Sequence, residues 1–383
     1  FISVSYSVPI IAIWLLLHVN SKISNNEQAV MFLIAITMVA SSLIAVVYTG
    51  EVRFETTLST TIKRCIQFLI CFGYYFFYKY YFSTKKVDLS RWMFAFTVFV
   101  FVFSLFFLIN PNLYANIKIA INRADNHTRR FLANQVPYRF NYLWTDPNNI
   151  AYLVAGNFYW YLTRNEVKIL WKFLLAILSI FIILASSSNG GMILLVIMIL
   201  FMAIGWLYHK MQDGKIKIGN ALFSLIAILG IITVLNIDSV SELIFSNYLE
   251  KIQNRLTLYT SSNNLSGGRV DDLMVSLKYL NPIFLIIGSG KEGFSSENGH
   301  LYWICMYGLP SYIGFMWLMF RKTRKQKLRE YIWIIPFFVC FTMNIGIGEF
   351  KWMAIFLLLL ANSRSECGRD INTYGREEKQ LNQ

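Results

Sequence analysis

Long apolar blocks separated by short polar stretches divide the chain. The blocks are about 17–20 residues long, the length a helix needs to cross a bilayer core of about 30 Å. They begin near Ile2, Val30, Cys65, Trp92, Ile150, Ile169, Gly191, Gly219, His300, Tyr331 and Phe350. Stretches such as WMFAFTVFVFVFSLFFLI, from Trp92, are apolar on every side of a helix. The pattern predicts an all-α polytopic membrane protein, a single transmembrane helical domain over 1–383, with about eleven spans. Two spans, 150–162 and 350–361, are short for a full crossing.

The charge distribution predicts the topology of these spans. Only 15% of the residues are charged, against about 25% in soluble domains. The net charge of +14 is concentrated in short connections, most densely in RKTRKQKLRE at 321–330, and the positive-inside rule assigns these to the cytoplasm. This accounts for the basic excess without a nucleic-acid partner. The tail 362–383 is then cytoplasmic, and the polar segments 110–149 and 237–299 are large loops on the outer face of the membrane. Because the chain does not begin with Met, we expect one further helix before Phe1.

The first of these loops carries cations on the side where the charge rule disfavours them. They are Lys118, Arg123, Arg129, Arg130 and Arg139. Two interpretations stay open: a long loop escapes the charge bias, or the arginines receive an anion. The planar guanidinium suits bidentate contact with phosphate oxygens.

The second loop contains a predicted short helix and a glycine turn. In SGGRVDDLMVSLKYLNP, Ser266 is a candidate N-cap, and Asp271 with Asp272 would lie in the positive first turn. Helix-start acids explain this pair without a metal ion, and we predict no metal site. The following IIGSG places Gly288 and Gly290 in either a plain turn or a backbone nest for an anion.

Two titratable groups stand where the chain enters the block at His300. Glu297 precedes His300, whose imidazole titrates near neutral pH. Such groups at the membrane face of a span indicate a functional site. The alternative is an interfacial histidine within an aromatic belt formed with Tyr302 and Trp303. Earlier, TDPNNIAYL predicts a helix start at which Asp146 or Asn149 caps and Pro147 fixes the turn.

The order of these features resembles the O-antigen polymerase and O-antigen ligase family. That family shows an Arg, a Pro, a GxG turn, and then a His entering a span with G-L-x-G. The positions matched are Arg269, Pro282, Gly288, Gly290, His300, Gly308, Leu309 and Gly314. DPNN at 146–149 and SSSNGG at 186–191 also resemble family segments, so the resemblance covers roughly 140–320. Ser188-Asn189-Gly190 stands where ligases commonly have Ser-Arg-Gly, which favours a polymerase.

The resemblance implies a C-type membrane glycosyltransferase-like fold of about twelve helices in the bacterial inner membrane, with a periplasmic active face. It implies transfer of glycan from an undecaprenyl-diphosphate-linked oligosaccharide to another lipid-linked repeat unit, inverting and without metal or cofactor. Arg269, Arg139, Arg130, Gly288 and Gly290 would bind the diphosphate. His300 or Glu297 would be the base, and which of them it is stays open. A chain-length regulator is a candidate partner beside the membrane lipids.

Two alternative functions remain at this point. A ligase would transfer the glycan to lipid A core. A flippase for lipid-linked oligosaccharide would more often carry buried charges within its spans, where this chain has almost none, Lys79 and His18 being the nearest.

Overall fold

All helices and turns below refer to a computed structural model of the chain. The structure describes residues 25–47, 58–85, 87–122, 139–142, 144, 146–164, 167–188, 190–191, 194–195, 274, 282–290, 298–321, 332–343 and 352–365. The helices are α1 (Asn25–Val47), α2 (Leu58–Thr84), α3 (Leu89–Ile109), α4 (Pro111–Asn122), α5 (Pro147–Leu162), α6 (Ile169–Ser186), α7 (Pro282–Ile287), α8 (Gly299–Tyr307), α9 (Leu309–Phe320), α10 (Ile334–Met343) and α11 (Trp352–Ser365). Within these ranges the fold is all-α, as predicted, and contains no sheet.

Two helices are long and apolar enough to cross a membrane. They are Asn26–Val47, within α1, and Leu89–Ile109, which is α3. Shorter apolar helices cover Leu170–Ser186, Leu309–Phe320 and Trp352–Ser365. The predicted blocks at Ile2 and Gly219 lie outside the described residues.

Helix α5 lies at the centre of the bundle. Every side chain of α5 from Asn149 to Tyr161 is buried, and the helix packs against α3, α6 and α10. Gly156 makes the contact with α10 possible, since a Cβ there would lie 2.2 Å from the Phe337 ring. The block at Ile150 is apolar on all sides because neighbouring helices surround it.

The predicted span from His300 to about 320 is divided into two helices. Gly308 separates α8 from α9 with a φ of +83°, which favours glycine. The rings of Trp303 and Phe315 stack with centroids 5.0 Å apart. In one continuous helix these positions would be about 18 Å apart along the axis. Helices α8 and α9 therefore fold back on each other, and a single straight crossing at this place was a wrong expectation.

The turn after α7 donates hydrogen bonds to the carbonyl groups of α8 that lose their helical partners at the break. In an unbroken helix Cys305 and Met306 would accept from the N–H groups of residues 309 and 310, and Pro310 has none. Instead, Ser289 N donates to Cys305 O at 2.8 Å, and Gly290 N donates to Met306 O at 2.9 Å. An unpaired carbonyl in an apolar interior is costly, so this turn is part of the packing of α8.

The first predicted loop, 110–149, contains a helix of its own. Asn110 ends α3, and its side chain accepts from Leu113 N at 3.0 Å at the start of α4. Tyr114 then packs against Phe107 and Phe140, with ring centroids 5.5 and 5.7 Å away. The sequence analysis missed α4. Of the second loop, 237–299, the structure describes residues 274, 282–290, 298 and 299.

Substitution of Gly290 tests the turn against α8. Its φ is +63°, and an added Cβ would lie 2.1 Å from Ser41 O, a backbone atom of α1. We expect Gly290→Ala to lower the free energy of unfolding by about 2–4 kcal/mol, from backbone strain together with the clash. The measurement is unfolding of the detergent-solubilised chain, followed by circular dichroism.

Gly314→Ala is the matched control for this variant. Gly314 is helical, and its Cβ would meet only side-chain atoms of Ile34 and Val30 at 3.1 Å or more. The gain in helix propensity then offsets part of the crowding, and we expect a change of less than about 1 kcal/mol. Equal losses from the two substitutions would contradict the assigned role of Gly290.

Candidate functional site

Arg139 is held at the C-terminal end of α6. Its Nε donates to Ser186 O at 3.1 Å, and its Nη2 lies 3.3 Å from Ser187 O and 3.2 Å from Asn148 Oδ1. Ser187 has a φ of +48°, so α6 ends there with carbonyls directed at the guanidinium. These three acceptors are neutral oxygens, and the bonds fix the position of the Arg139 guanidinium.

The two motif segments DPNN and SSSNGG meet at this place. Asp146 caps α5, accepting from Asn148 N at 2.7 Å, which confirms the predicted helix start. Ser188 Oγ donates to Asn148 Oδ1 at 2.8 Å and accepts from Gly191 N at 3.1 Å. Asn148 Oδ1 thus joins both segments to Arg139. A Cβ at Gly190 would lie 2.2 Å from the Tyr152 hydroxyl, so the turn needs its small residues.

Lys118 is a second cation beside Arg139. It lies on α4 and is buried, and its ammonium donates to Asn141 Oδ1 and to Trp144 O. Both acceptors are again neutral oxygens. Lys118 therefore holds Asn141 and Trp144, which follow Arg139 in the sequence, and we name Arg139, Lys118, Asn148 and Ser188 the Arg139 cluster.

His300 is buried within aromatic rings and has a partner at each ring nitrogen. Nε2 lies 3.2 Å from Phe338 O, and Nδ1 lies 3.2 Å from the Tyr312 hydroxyl. A carbonyl only accepts, so Nε2 carries the proton, and Nδ1 accepts from Tyr312 in the neutral ring. The imidazole is 8% exposed and packs on Phe338 and Phe341. This environment is a buried aromatic one and does not match the interfacial belt considered above.

Helix α10 connects His300 to the Arg139 cluster. Cys340 Sγ lies 3.9 Å from Asn149 Oδ1, one residue beyond Asn148, while Phe338 and Phe341 contact His300. The first turns of α5 and α8 therefore both lie against the C-terminal half of α10. Of the predicted residues, His300 contacts α10 directly, whereas Arg139 bonds to Asn148, whose neighbour Asn149 contacts the same helix.

The remaining predicted residues fall into two groups. Arg269, Arg130 and Glu297 lie outside the described residues, and their roles stay predictions. Gly288 and Gly290 lie in the turn described above, where the backbone N–H of Gly290 donates a hydrogen bond to Met306 O. A Cβ at Gly288 would lie 2.6 Å from Met306 O, so this geometry favours the plain packing turn over the anion nest.

A charged cluster at the opposite end of the bundle was missed by the sequence analysis. Glu27, on α1, is 2% exposed and forms ion pairs with Lys79, with Arg321 at 3.5 Å and with Arg364 at 3.7 Å. Tyr75 donates to Glu27 Oε1 at 3.1 Å. These five side chains are the Glu27 cluster. Lys79 within an apolar block was the signal that could have indicated it.

The two clusters are separated by the length of α5. Asn148 lies in its first turn, and Trp160, in its last, donates to Ser363 Oγ at 3.2 Å, next to Arg364. Twelve helical residues correspond to about 18 Å. The clusters therefore lie at opposite ends of the bundle.

Comparison of the chain with models of known protein families, with curated proteins and with solved structures finds no match.

Asn148 is the residue whose replacement tests the Arg139 cluster. Asn148→Leu removes the acceptor of both Arg139 and Ser188, and we expect a loss of about 1–3 kcal/mol in the free energy of unfolding. Asn148→Asp keeps an acceptor, adds a charge beside the guanidinium, and suits the first turn of a helix, so its stability should match or exceed the unchanged chain. Thermal unfolding in detergent compares the two. Equal destabilisation by both variants would show that the acceptor does not hold the cluster together.

Proposed function

We propose that the protein is a polysaccharide polymerase of the bacterial inner membrane. It transfers glycan from an undecaprenyl-diphosphate-linked oligosaccharide to the non-reducing end of another lipid-linked repeat unit. The observation that carries the proposal is the convergence of Arg139 with the DPNN and SSSNGG segments at one end of the bundle. Those are segments of the family resemblance, and Arg139 was predicted as a diphosphate ligand.

A multi-pass position in the membrane is supported by the exposed surfaces of the long helices. Only 22% and 28% of the apolar windows of α1 and α3 are buried against the rest of the chain, whereas the core helix of a soluble protein would be mostly buried. Phe32 is 68% exposed and Ile109 is 82% exposed. Lipid would cover these side chains.

The two ends of the bundle agree with the predicted sidedness. Arg139 belongs to the segment predicted as periplasmic, while Arg321 begins the basic segment predicted as cytoplasmic. They lie at opposite ends of α5, as the topology requires. The Arg139 cluster then faces the periplasm, and the Glu27 cluster lies at the cytoplasmic face.

The proposed reaction is a single displacement at the anomeric carbon. A hydroxyl oxygen of the acceptor sugar forms the new bond to this carbon, and the bond to the diphosphate oxygen breaks, which inverts the centre. Arg269, with Arg139 and Arg130, stabilises the negative charge that develops on the leaving diphosphate. Lys118 adds to the positive potential there without contacting the substrate.

The acceptor proton goes to His300 or to Glu297. If His300 is the base, the basic nitrogen is Nδ1, which accepts from the Tyr312 hydroxyl. The proton then reaches the imidazole through Tyr312, because the ring itself is buried. Glu297 stands three residues before His300 and is either its orienting partner or the base.

Two alternatives differ in the fate of the lipid-linked units. A ligase would use lipid A core as the acceptor, and a flippase would carry out no transfer. Deletion of the protein separates the three functions. Single repeats attached to the core indicate a polymerase, absence of attached repeats indicates a ligase, and accumulation of inward-facing units indicates a flippase.

Reconstitution with a synthetic lipid-linked repeat tests the reaction. The purified chain should produce a ladder of longer lipid-linked glycans, at the same rate with and without chelator. Arg269→Ala and His300→Ala should each slow chain growth by about 100-fold or more, since removal of a transition-state cation or a base has effects of that size. The control is Arg91→Ala, because Arg91 is an exposed arginine at the start of α3. Chain-length distributions unchanged by both substitutions would remove the proposed mechanism.

Cysteine labelling in cells tests the sidedness separately from catalysis. Cysteines introduced at Asn112, exposed after α3, and at Lys85, exposed before it, are at opposite ends of that helix. A membrane-impermeant maleimide should label Asn112→Cys in intact cells, and Lys85→Cys only after the membrane is opened. The native cysteines within the described residues are buried, which limits their background. If only Lys85→Cys is labelled in intact cells, the protein has the opposite orientation in the membrane to the one proposed.

A further inference from the structure

Helix α4 contacts the end of α3 with one turn and the chain before α5 with the next. Tyr114 and Lys118, four residues apart on one face of α4, are both buried. The Tyr114 ring lies 5.5 Å from the ring of Phe107, in the last turn of α3. Lys118 donates to Trp144 O, three residues before α5 begins. One face of α4 therefore packs on both neighbouring helices.

The register of α3 against α5 shows that these two contacts lie at the same end of the bundle. Asn157 Nδ2 donates to Thr97 Oγ1 at 2.8 Å, and the rings of Tyr161 and Phe94 are 6.3 Å apart, so the two helices are antiparallel. Twelve residues of α3 follow Thr97, about 18 Å of helix, and ten residues of α5 precede Asn157, about 15 Å. The end of α3 and the start of α5 are thus at nearly the same height, and α4 lies across this end.

The exposed side of α4 is divided into an apolar flank and a polar flank. Leu113 and Ile117, four residues apart, form the apolar flank and are 45% and 41% exposed. Asn112 and Asn116 form the polar flank, about 100° round the helix, and are also exposed. A helix with this division of side chains suits the boundary of a bilayer, where apolar groups enter the hydrocarbon and polar groups stay in water.

The apolar flank of α4 comes directly after the exposed apolar end of α3. Leu108 is 38% exposed and Ile109 is 82% exposed, and both belong to a helix long and apolar enough to cross a membrane. Asn110 then ends α3, and α4 begins at the next residue. The apolar surface that a membrane would cover therefore reaches the level at which α4 crosses the bundle.

We propose that α4 is an interfacial helix whose apolar flank, Leu113 and Ile117, lies in the lipid surface of the membrane. The partner is the acyl-chain region just below the headgroups. The inference rests on the membrane position given under the proposed function and does not depend on the polymerase reaction. Because the buried face of α4 holds Lys118 against Asn141 and Trp144, this contact also sets the height of the Arg139 cluster relative to the lipid.

Spin labels on single cysteines in the full-length chain, reconstituted into liposomes, test the position of α4. The labelled variants are Leu113→Cys and Ile117→Cys on the apolar flank, Asn112→Cys and Asn116→Cys as matched controls on the polar flank, and Val102→Cys, 53% exposed on α3, as the reference for lipid. Dissolved oxygen concentrates in hydrocarbon, whereas a neutral nickel chelate stays in water. The ratio of their collision rates with each label therefore reports its surroundings.

We expect the oxygen-to-nickel ratio to be several-fold higher on the apolar flank than on the polar flank, and highest at the α3 reference. If the nickel chelate reaches both flanks equally while the reference stays in lipid, α4 lies in water and this inference alone is wrong. Exclusion of both reagents from the apolar flank would show that protein covers it, for example a second copy of the chain, and would also overturn the inference. Access of the nickel chelate to the reference would instead refute the membrane position, and with it the proposed function.

Discussion

One buried carboxylate, that of Glu27, ties together four helices at one end of the bundle. It lies at the start of α1, receives Tyr75 and Lys79 from α2 and Arg364 from α11, and contacts Arg321 at the end of α9. Removal of this carboxylate takes away the ion-pair partner of the buried Arg364, and breaking a buried pair in this way typically costs about 3–5 kcal/mol. The charged contacts therefore restrain the relative positions of these four helices in addition to their apolar packing.

At the other end of the bundle, hydrogen bonds from cations to neutral oxygens connect the helices. Arg139 joins the end of α6 to the start of α5, and Lys118 joins α4 to Asn141 and Trp144, which precede α5. Backbone hydrogen bonds hold the break between α8 and α9. The carbonyl groups at the end of α8 accept from the N–H groups of Ser289 and Gly290. At each of these three places a polar group accepts or donates the hydrogen bonds that the irregular backbone requires.

The helical content and the helix start at Asp146 could be predicted from sequence, because both depend on local composition. The break at Gly308 could not, since the carbonyls of Cys305 and Met306 accept hydrogen bonds from a turn 16 residues earlier in the chain, and hydropathy does not show that pairing. The Glu27 cluster was missed for the same reason. Its members are single polar residues in separate blocks, and only packing reveals that they meet. For the candidate site, the sequence analysis named Arg139 and His300 but not the residues that they contact, Asn148 and Tyr312.

The difference between the two clusters bears on where a diphosphate would bind. At Glu27 a carboxylate already occupies the centre of the cations, and its oxygens satisfy the interior arginine. At Arg139 and Lys118 the hydrogen bonds described above end on amide and carbonyl oxygens, which orient the two cations. The α5 N-terminus adds its positive dipole end at the same place. Under the proposed function, this dipole and the arginine predicted as a diphosphate ligand both favour the Arg139 end as the place of the reaction.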